Sequence, residues 1–476
     1  MPDLEINNQT NINAPQIQEV SPVSGSDEVV SSPPPPAKKS FPKFLLIIPL
    51  LLIFALVVFG ISRLISSRRI APSANGEITW WGLWEDDSTM NPLIEEYQQK
   101  NPSVKIKYVS QSPQDYRERL INSLAKGTGP DIFQFHNSWT PMIRPELDPL
   151  PASVMSSSDF SQTFYPVAVS DLTSGTGILG IPLEYDSLAL YINENIFEKA
   201  AKSPPKTWDE FRQLAINLTV KDDKGIIQQS GTALGRVENV DHWPEIVALM
   251  MMENGVKMGN PTGKLANDAL TFFSLFSRVD RVWDETLPPS TIAFAAGKVA
   301  MYFGTSWRAH EIKQQNPRLR FKTVPVPQIP QEESEKTNLT YATYWVQGVW
   351  TRSKLKKQAW DFLKYMSEKD TLEKFYQNAS KIRSFGEPYP RVDMASLISS
   401  DPILGAFVAQ APFAKSWYLA SRTFDGPTGI NSQINKYFED AVNATVRTGS
   451  PGESLNTVSS GVNQVLSRYG ITTSGN

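Results

Sequence analysis

No cysteine occurs anywhere in the chain. That rules out disulfides, thiolate-rich zinc sites, a cysteine nucleophile and anchoring through a lipid-modified cysteine. Histidine is scarce as well: there are three, and none stands in a recognisable catalytic constellation. His310-Glu311 opens like the helix of a zinc protease, but Gln314 occupies the place of the second imidazole. There is no Gly-x-Ser-x-Gly elbow. Gly263-Lys264 is followed by Leu265, which lacks the hydroxyl that a phosphate loop offers to magnesium. Nor is there a basic excess to grip a nucleic-acid backbone, since 46 Lys and Arg face 49 Asp and Glu. Only a two-carboxylate glycosidase stays open on composition, because so many acids supply suitable pairs by chance. The chain therefore reads as a non-enzyme without metal or cofactor.

Tryptophan is absent from the first 79 residues, and all twelve lie between Trp80 and Trp417. This divides the chain. Residues 1–43 are polar and low in aromatics, with the run Pro33–Pro36, and are expected to be a disordered tail. Phe44 to Ile61 then carries no charge. Eighteen helical residues at ~1.5 Å each reach roughly 27 Å, close to a hydrocarbon core of ~30 Å. Residues 44–62 are accordingly expected to form one transmembrane helix, with 63–75 as a linker. A cleaved signal peptide is the competing reading. Against it stand the length of the apolar run, the roughly 40 residues before it and the lack of a small-x-small cleavage site after it. Flanking charge leaves orientation undecided: Lys38, Lys39 and Lys43 on one side balance Arg63, Arg68 and Arg69 on the other.

In a chain of 476 residues, the remainder over 76–476 is long enough for two domains or one large two-lobed domain. Ile78–Trp81 is a short run of β-formers. Asp87 or Ser88 can cap a helix whose Leu93, Ile94 and Tyr97 share a face, and Val104–Val109 alternates with strand periodicity. A second helix buries Tyr116, Leu120, Ile121 and Leu124, and Ile132–Phe135 is the next strand. The β-α-β-α-β order implies an α/β fold with a parallel sheet. In such sheets ligands lie beyond the carboxyl ends of the strands. Those ends carry Trp84 with Glu85, and Phe135 with His136. Aromatics beside short polar groups suit a pyranose, whose C–H face stacks on a ring while its hydroxyls meet carboxylates and amides.

The segment Gly180-Ile181-Pro182-Leu183-Glu184-Tyr185-Asp186-Ser187 runs on through Leu190-Tyr191-Ile192-Asn193 to Thr207-Trp208-Asp209-Glu210-Phe211, where Thr207 and Glu210 form a capping box. This segment resembles the first interlobe crossover of the family 1 extracellular solute-binding proteins, the maltose-binding-protein-like group of ABC importers. Gly129-Pro130-Asp131-Ile132, Phe294–Met301 with Gly304 and Trp307, and Lys357–Leu363 resemble further elements of that family in its order, so the similarity covers roughly 76–470. The resemblance implies two α/β lobes of periplasmic-binding-protein type, joined by hinge crossovers and closing on ligand. One lobe would take about 76–185 plus 300–340, the second about 186–299 plus 341–476. It also implies a monomer outside the cytoplasm that delivers its ligand to ABC permease subunits; with the expected transmembrane helix this makes a single-pass protein at the cell membrane, its binding domain on the extracellular side. Asp186 matches an acid that contacts sugar, Phe135 falls where the group places an aromatic, Trp307 lies one position from another, and Trp417-Tyr418 falls near a late Trp-Tyr pair. Ser138 and Trp139 depart from the acid and arginine of the maltose group, so the resemblance implies a sugar without specifying maltodextrin.

Position alone adds Trp243 at a helix start, Arg308 beside Trp307, Tyr344-Trp345 in an apolar strand, and Arg383, which can clamp a hydroxyl pair. A membrane-bound sensor would use the same lobes. A phosphorylated polyol or a peptide is the alternative cargo, although the aromatic and acidic lining favours a neutral polyhydroxylated ligand.

Overall fold

The computed structural model describes residues 76–175, 177–330 and 338–472. The tail, the expected membrane helix and the linker all lie outside the described residues. Among those described, no helix is long and apolar enough to cross a membrane.

Among the described residues, nine strands build the two main sheets: β1 (Glu77–Gly82), β2 (Lys105–Ser110), β3 (Ile132–His136), β4 (Ala189–Asn193), β5 (Val220–Lys221), β6 (Ile227–Thr232), β7 (Val299–Gly304), β8 (Phe321–Val324) and β9 (Trp345–Val349). They form two sheets, ordered β9-β3-β1-β2 and β8-β4-β7-β6-β5. In the first, β1 is parallel to β2 and β3, as the β-α-β-α-β pattern requires, and β9 returns antiparallel to β3. In the second, β4 is antiparallel to both β7 and β8, while β6 runs parallel to β7.

This pairing corrects the expected lobe limits. Strands β7 and β8 bond to β4, so the stretch around 300–324 builds the second lobe. Strand β9 completes the first sheet, and the helices Lys356–Met366 and Lys369–Ala379 pack there against the helix Asp87–Lys100. Two chain crossings lie side by side between the sheets. Ser187 bridges Ala342 antiparallel, Thr343 N–H donates to the Asp186 carbonyl at 3.0 Å, and Leu188 N–H to that of Tyr341 at 2.9 Å.

Local chemistry sets the element ends. Asp86 takes the extended N-cap position of the first helix and accepts the Thr89 N–H at 3.0 Å, one residue earlier than the sequence suggested. The Thr207–Glu210 capping box forms as read and opens the helix Trp208–Asn217. In the first lobe Trp80 is buried edge-on against Tyr108 and Phe362, and its indole N–H donates to Gln347 of β9 at 2.9 Å.

In the second lobe Gly231 lets β6 lie directly on the helix Trp208–Asn217. A Cβ at that position would stand 1.9 Å from the Ala215 carbonyl oxygen. Backbone meets backbone there, so neither side can yield by a rotamer change. Gly231→Ala is expected to cost about 1–3 kcal/mol of stability, read as a lowered midpoint in denaturant unfolding. A midpoint equal to wild type would show that helix and strand separate freely.

Candidate functional site

The carboxyl ends of β1, β3 and β7 and the start of β9 converge on a cleft of about 420 Å³. Its lining comes from both lobes and from the crossing between them.

One wall is acidic. Glu184 and Asp186 approach it from the crossover and Glu387 from a later loop. Asp186 accepts the Ser306 N–H at 2.8 and 3.0 Å through its two oxygens, and the Ser187 N–H at 2.8 Å. Glu184 has the Gln134 amide at 3.3 Å. Arg383 is shared between Glu85 at 2.7 Å and Glu387 at 3.5 Å. Burial, then repulsion from Glu387, holds the carboxyls of Glu184 and Asp186 well above the usual range; Arg383 works the other way on Glu184, as does the Ser306 amide on Asp186.

The remaining lining is aromatic and basic. Trp84 meets Trp345 edge-on at 5.4 Å and Phe424 at 5.7 Å, and Trp345 in turn meets His136 at 5.2 Å. Trp307 is flanked by two guanidiniums, Arg308 at 4.4 Å and Arg422 at 5.1 Å from the ring centre. Arg422 and Phe424 both have positive φ (52° and 55°), while Thr423 and Asp425 between and after them are buried. Asp425 accepts the Asn431 N–H at 2.7 Å at the start of the helix Ile430–Thr448. Anchoring that inward residue turns Arg422 and Phe424 toward the cleft.

All three histidines of the chain line the cleft. Arg308 donates through Nε to His242 Nε2 at 2.8 Å, so that nitrogen is an acceptor and the ring proton sits on Nδ1. Nδ1 faces Ser421 Oγ at 3.4 Å, and that hydroxyl reaches Glu245 at 2.8 Å. Burial pushes the His136 imidazole down to about 3. Burial, then Arg383 and Lys313, push His310 down to about 4, so both are neutral at ordinary pH.

Seven residues singled out from sequence line this cleft: Trp84, His136, Asp186, Trp307, Tyr344, Trp345 and Arg383. Glu85 stands one step behind, paired to Arg383, and Arg308 lies buried behind Trp307. The other four lie elsewhere. Phe135 is fully buried, because alternation along β3 turns it into the core and leaves His136 toward the cleft. Trp243 does start a helix, but its indole packs on the core, and the same turn presents His242 and Glu245 instead. Trp417 and Tyr418 line a separate concavity of about 870 Å³. The carboxylate in that concavity, Asp171, is already satisfied by Asn137 at 2.9 Å, Tyr344 at 2.8 Å and Ser416 at 2.5 Å. A strut is the better description of it. Glu184, His242, Glu245, Glu387, Arg422 and Phe424 were not anticipated as site residues. Among the described residues no group of three or more acids or histidines is placed to hold a metal.

The raised pKa values give a signed prediction. A carboxyl whose folded pKa exceeds its unfolded one adds stability below the unfolded value, and that stability is lost as pH rises. Glu184→Gln should therefore match wild type near pH 4 and exceed it by a widening margin toward pH 8, in thermal unfolding of the ligand-free full chain. A margin that stays constant with pH would show that Glu184 titrates as an exposed acid does.

The family model for bacterial extracellular solute-binding proteins matches residues 81–372. A binding protein of Brucella abortus is 22% identical over 335 residues, covering 67% of this chain and 79% of its own. The diacetylchitobiose binding protein DasA of Streptomyces coelicolor is 24% identical over 265 residues, 51% of this chain and 57% of that protein. The solved structure of the sugar-binding protein MalE from Xanthomonas citri shares the fold, with a TM-score of 0.66 at 18% identity over 82% of this chain and 98% of that one. With the matched stretch spanning strands of both sheets and most of the cleft, the chain belongs to the family of bacterial extracellular solute-binding proteins.

Proposed function

We propose that the chain captures a carbohydrate in the interlobe cleft outside the cell and passes it to the permease of an ABC importer, held at the membrane by residues 44–62. The observation that carries this reading is the meeting, in one cleft, of aromatic rings (Trp84, Trp345, Phe424, Trp307) with carboxylates (Glu184, Asp186, Glu387). A sugar ring needs both, one for its C–H face and one for its hydroxyls. The names of the Streptomyces and Xanthomonas relatives, which refer to diacetylchitobiose and sugar, support the ligand class. Anchoring rests on the charge-free stretch Phe44–Ile61, and the permease on family membership.

Titration calorimetry of the full chain against a panel of mono- and oligosaccharides should find a sugar that binds one to one. Trp307→Ala and Asp186→Ala should each weaken it by more than about 1 kcal/mol, or roughly fivefold in affinity. Silence across the whole panel would remove the carbohydrate from the reading. Deleting residues 44–62 should move the protein from the membrane fraction to the soluble one, and a protein still sedimenting with membranes would remove the anchor.

A further inference from the structure

The charges on the cleft walls do not balance. Five carboxylates line it, from Glu184, Asp186, Glu245, Glu311 and Glu387, against the two guanidiniums of Arg383 and Arg422 and, from behind, that of Arg308, which holds Glu311 at 2.6 Å. The histidines do not make up the difference. His242 accepts from Arg308, and His136 is bonded at both nitrogens, to Ser138 Oγ at 2.6 Å and Thr343 Oγ1 at 2.9 Å. His310 packs against Phe385 with ring centres 4.1 Å apart and the rings tilted by 38°, and neither of its nitrogens is bonded. Both lining arginines are already committed. Arg383 serves Glu85 and Glu387, while Arg422 sits over Trp307 near Glu311 at 3.7 Å and Asp241 at 4.0 Å.

Glu184, Asp186 and Glu245 are thus left without a close basic partner of their own. Glu184 has one amide contact and Asp186 only backbone N–H groups. Glu245 is 1% exposed; its Oε1 accepts the Ser421 N–H at 2.5 Å and the Ser421 hydroxyl at 2.8 Å, while Oε2 has no hydrogen-bond partner, with His242 Nδ1 standing off at 3.8 Å. A buried acid held by neutral donors alone, with no cation of its own, is costly to ionise unless something supplies the charge. A metal ion is a poor candidate, since no group of three or more ligating side chains converges among the described residues. The wall opposite adds an argument of its own: Trp84 and Phe424 are 39% and 38% exposed, and aromatic faces attract cations as well as C–H groups.

Given that the cleft takes a carbohydrate, we infer that its ligand carries positive charge: an amino sugar with a free ammonium group, seated among Glu184, Asp186 and Glu387, rather than a neutral or anionic sugar. Protonated amine then provides the donors and the charge that the acidic wall lacks. Phosphorylated polyols and uronates would meet the same carboxylates as repulsion.

The test compares sugars that differ only at one substituent. Calorimetry of the full chain would use the free-amine, acetamido and hydroxyl forms of each skeleton: glucosamine, N-acetylglucosamine and glucose, their galacto and manno counterparts, and the β-1,4-linked dimers of the gluco series, at neutral pH, where the amine still carries its proton and the carboxyls are better able to give up theirs. In the skeleton that binds best, the amine should exceed both other forms by about tenfold or more in affinity. Glu184→Gln should shrink that preference to within about threefold, whatever affinity the hydroxyl form itself loses. A neutral form that binds as tightly as the amine overturns the charge assignment and leaves carbohydrate capture standing. Absence of binding by every member overturns both. A preference that survives Glu184→Gln unchanged, and Glu387→Gln as well, overturns the placement of the ammonium on this wall.

Discussion

The structure turns on one carboxylate, Asp186. It sits in the crossing between the sheets, and its two oxygens accept the Ser306 N–H just past β7, while its own carbonyl accepts the Thr343 N–H that leads into β9. Three chain segments, one from each lobe and one from the hinge, are thereby fixed to a single residue. Trp307 follows Ser306, and Tyr344 and Trp345 follow Thr343, so the aromatic positions on both sides of the cleft are set from the same point. A carboxylate is suited to this place, since it offers acceptors only and each amide it takes is a donor the turn would otherwise leave unpaired. An amide side chain would turn an N–H toward one of those donors.

Behind the opposite wall runs a second chain of contacts, Arg308 to His242 to Ser421 to Glu245. Its order of donors fixes the histidine tautomer and brings the loop after Leu419 against the helix Trp243–Glu253. The positive φ values at Arg422 and Phe424 are the cost of that docking, because a side chain in the left-handed region is strained. The strain is held by Asp425, tied to the next helix. Two cleft residues are therefore positioned by one capping interaction that touches no ligand.

These two networks show why the sequence was readable in some places and silent in others. The β-α-β-α-β order and the Thr207–Glu210 cap rest on local patterns, and local patterns survive folding, while Asp186 and Trp307 were legible only through the family resemblance. Phe135 and His136 differ only in parity along β3, and a strand buried along its whole length carries no alternation to say which neighbour faces the ligand. The lobe limits failed for a related reason. The pairing of β4 with β7 and β8 joins segments over a hundred residues apart, and nothing at either end names its partner. Arg422 and Phe424 belong to a loop without periodicity. One signal was present and used only in part: in a chain with three histidines, His242 and His310 each stand beside an acid or arginine in the sequence, and the structure gathers both with His136 in one cleft.

The same charges bear on motion. A ligand favours one arrangement of two lobes only through contacts that differ between arrangements. Here the acids lie on both walls, with Glu184 and Glu387 on the side of the first sheet and Glu245 and Glu311 on that of the second. Drawing the walls together around an empty cleft brings like charges closer in a medium poorer in water, where their repulsion grows. Ring stacking alone would hold the walls with or without an occupant, since aromatic faces also pack on one another. Unpaired carboxylates do the reverse: they oppose closure of the empty cleft and reward an occupant that brings donors. Selectivity and closure then draw on the same residues, and a substitution that neutralises one of these acids must alter both.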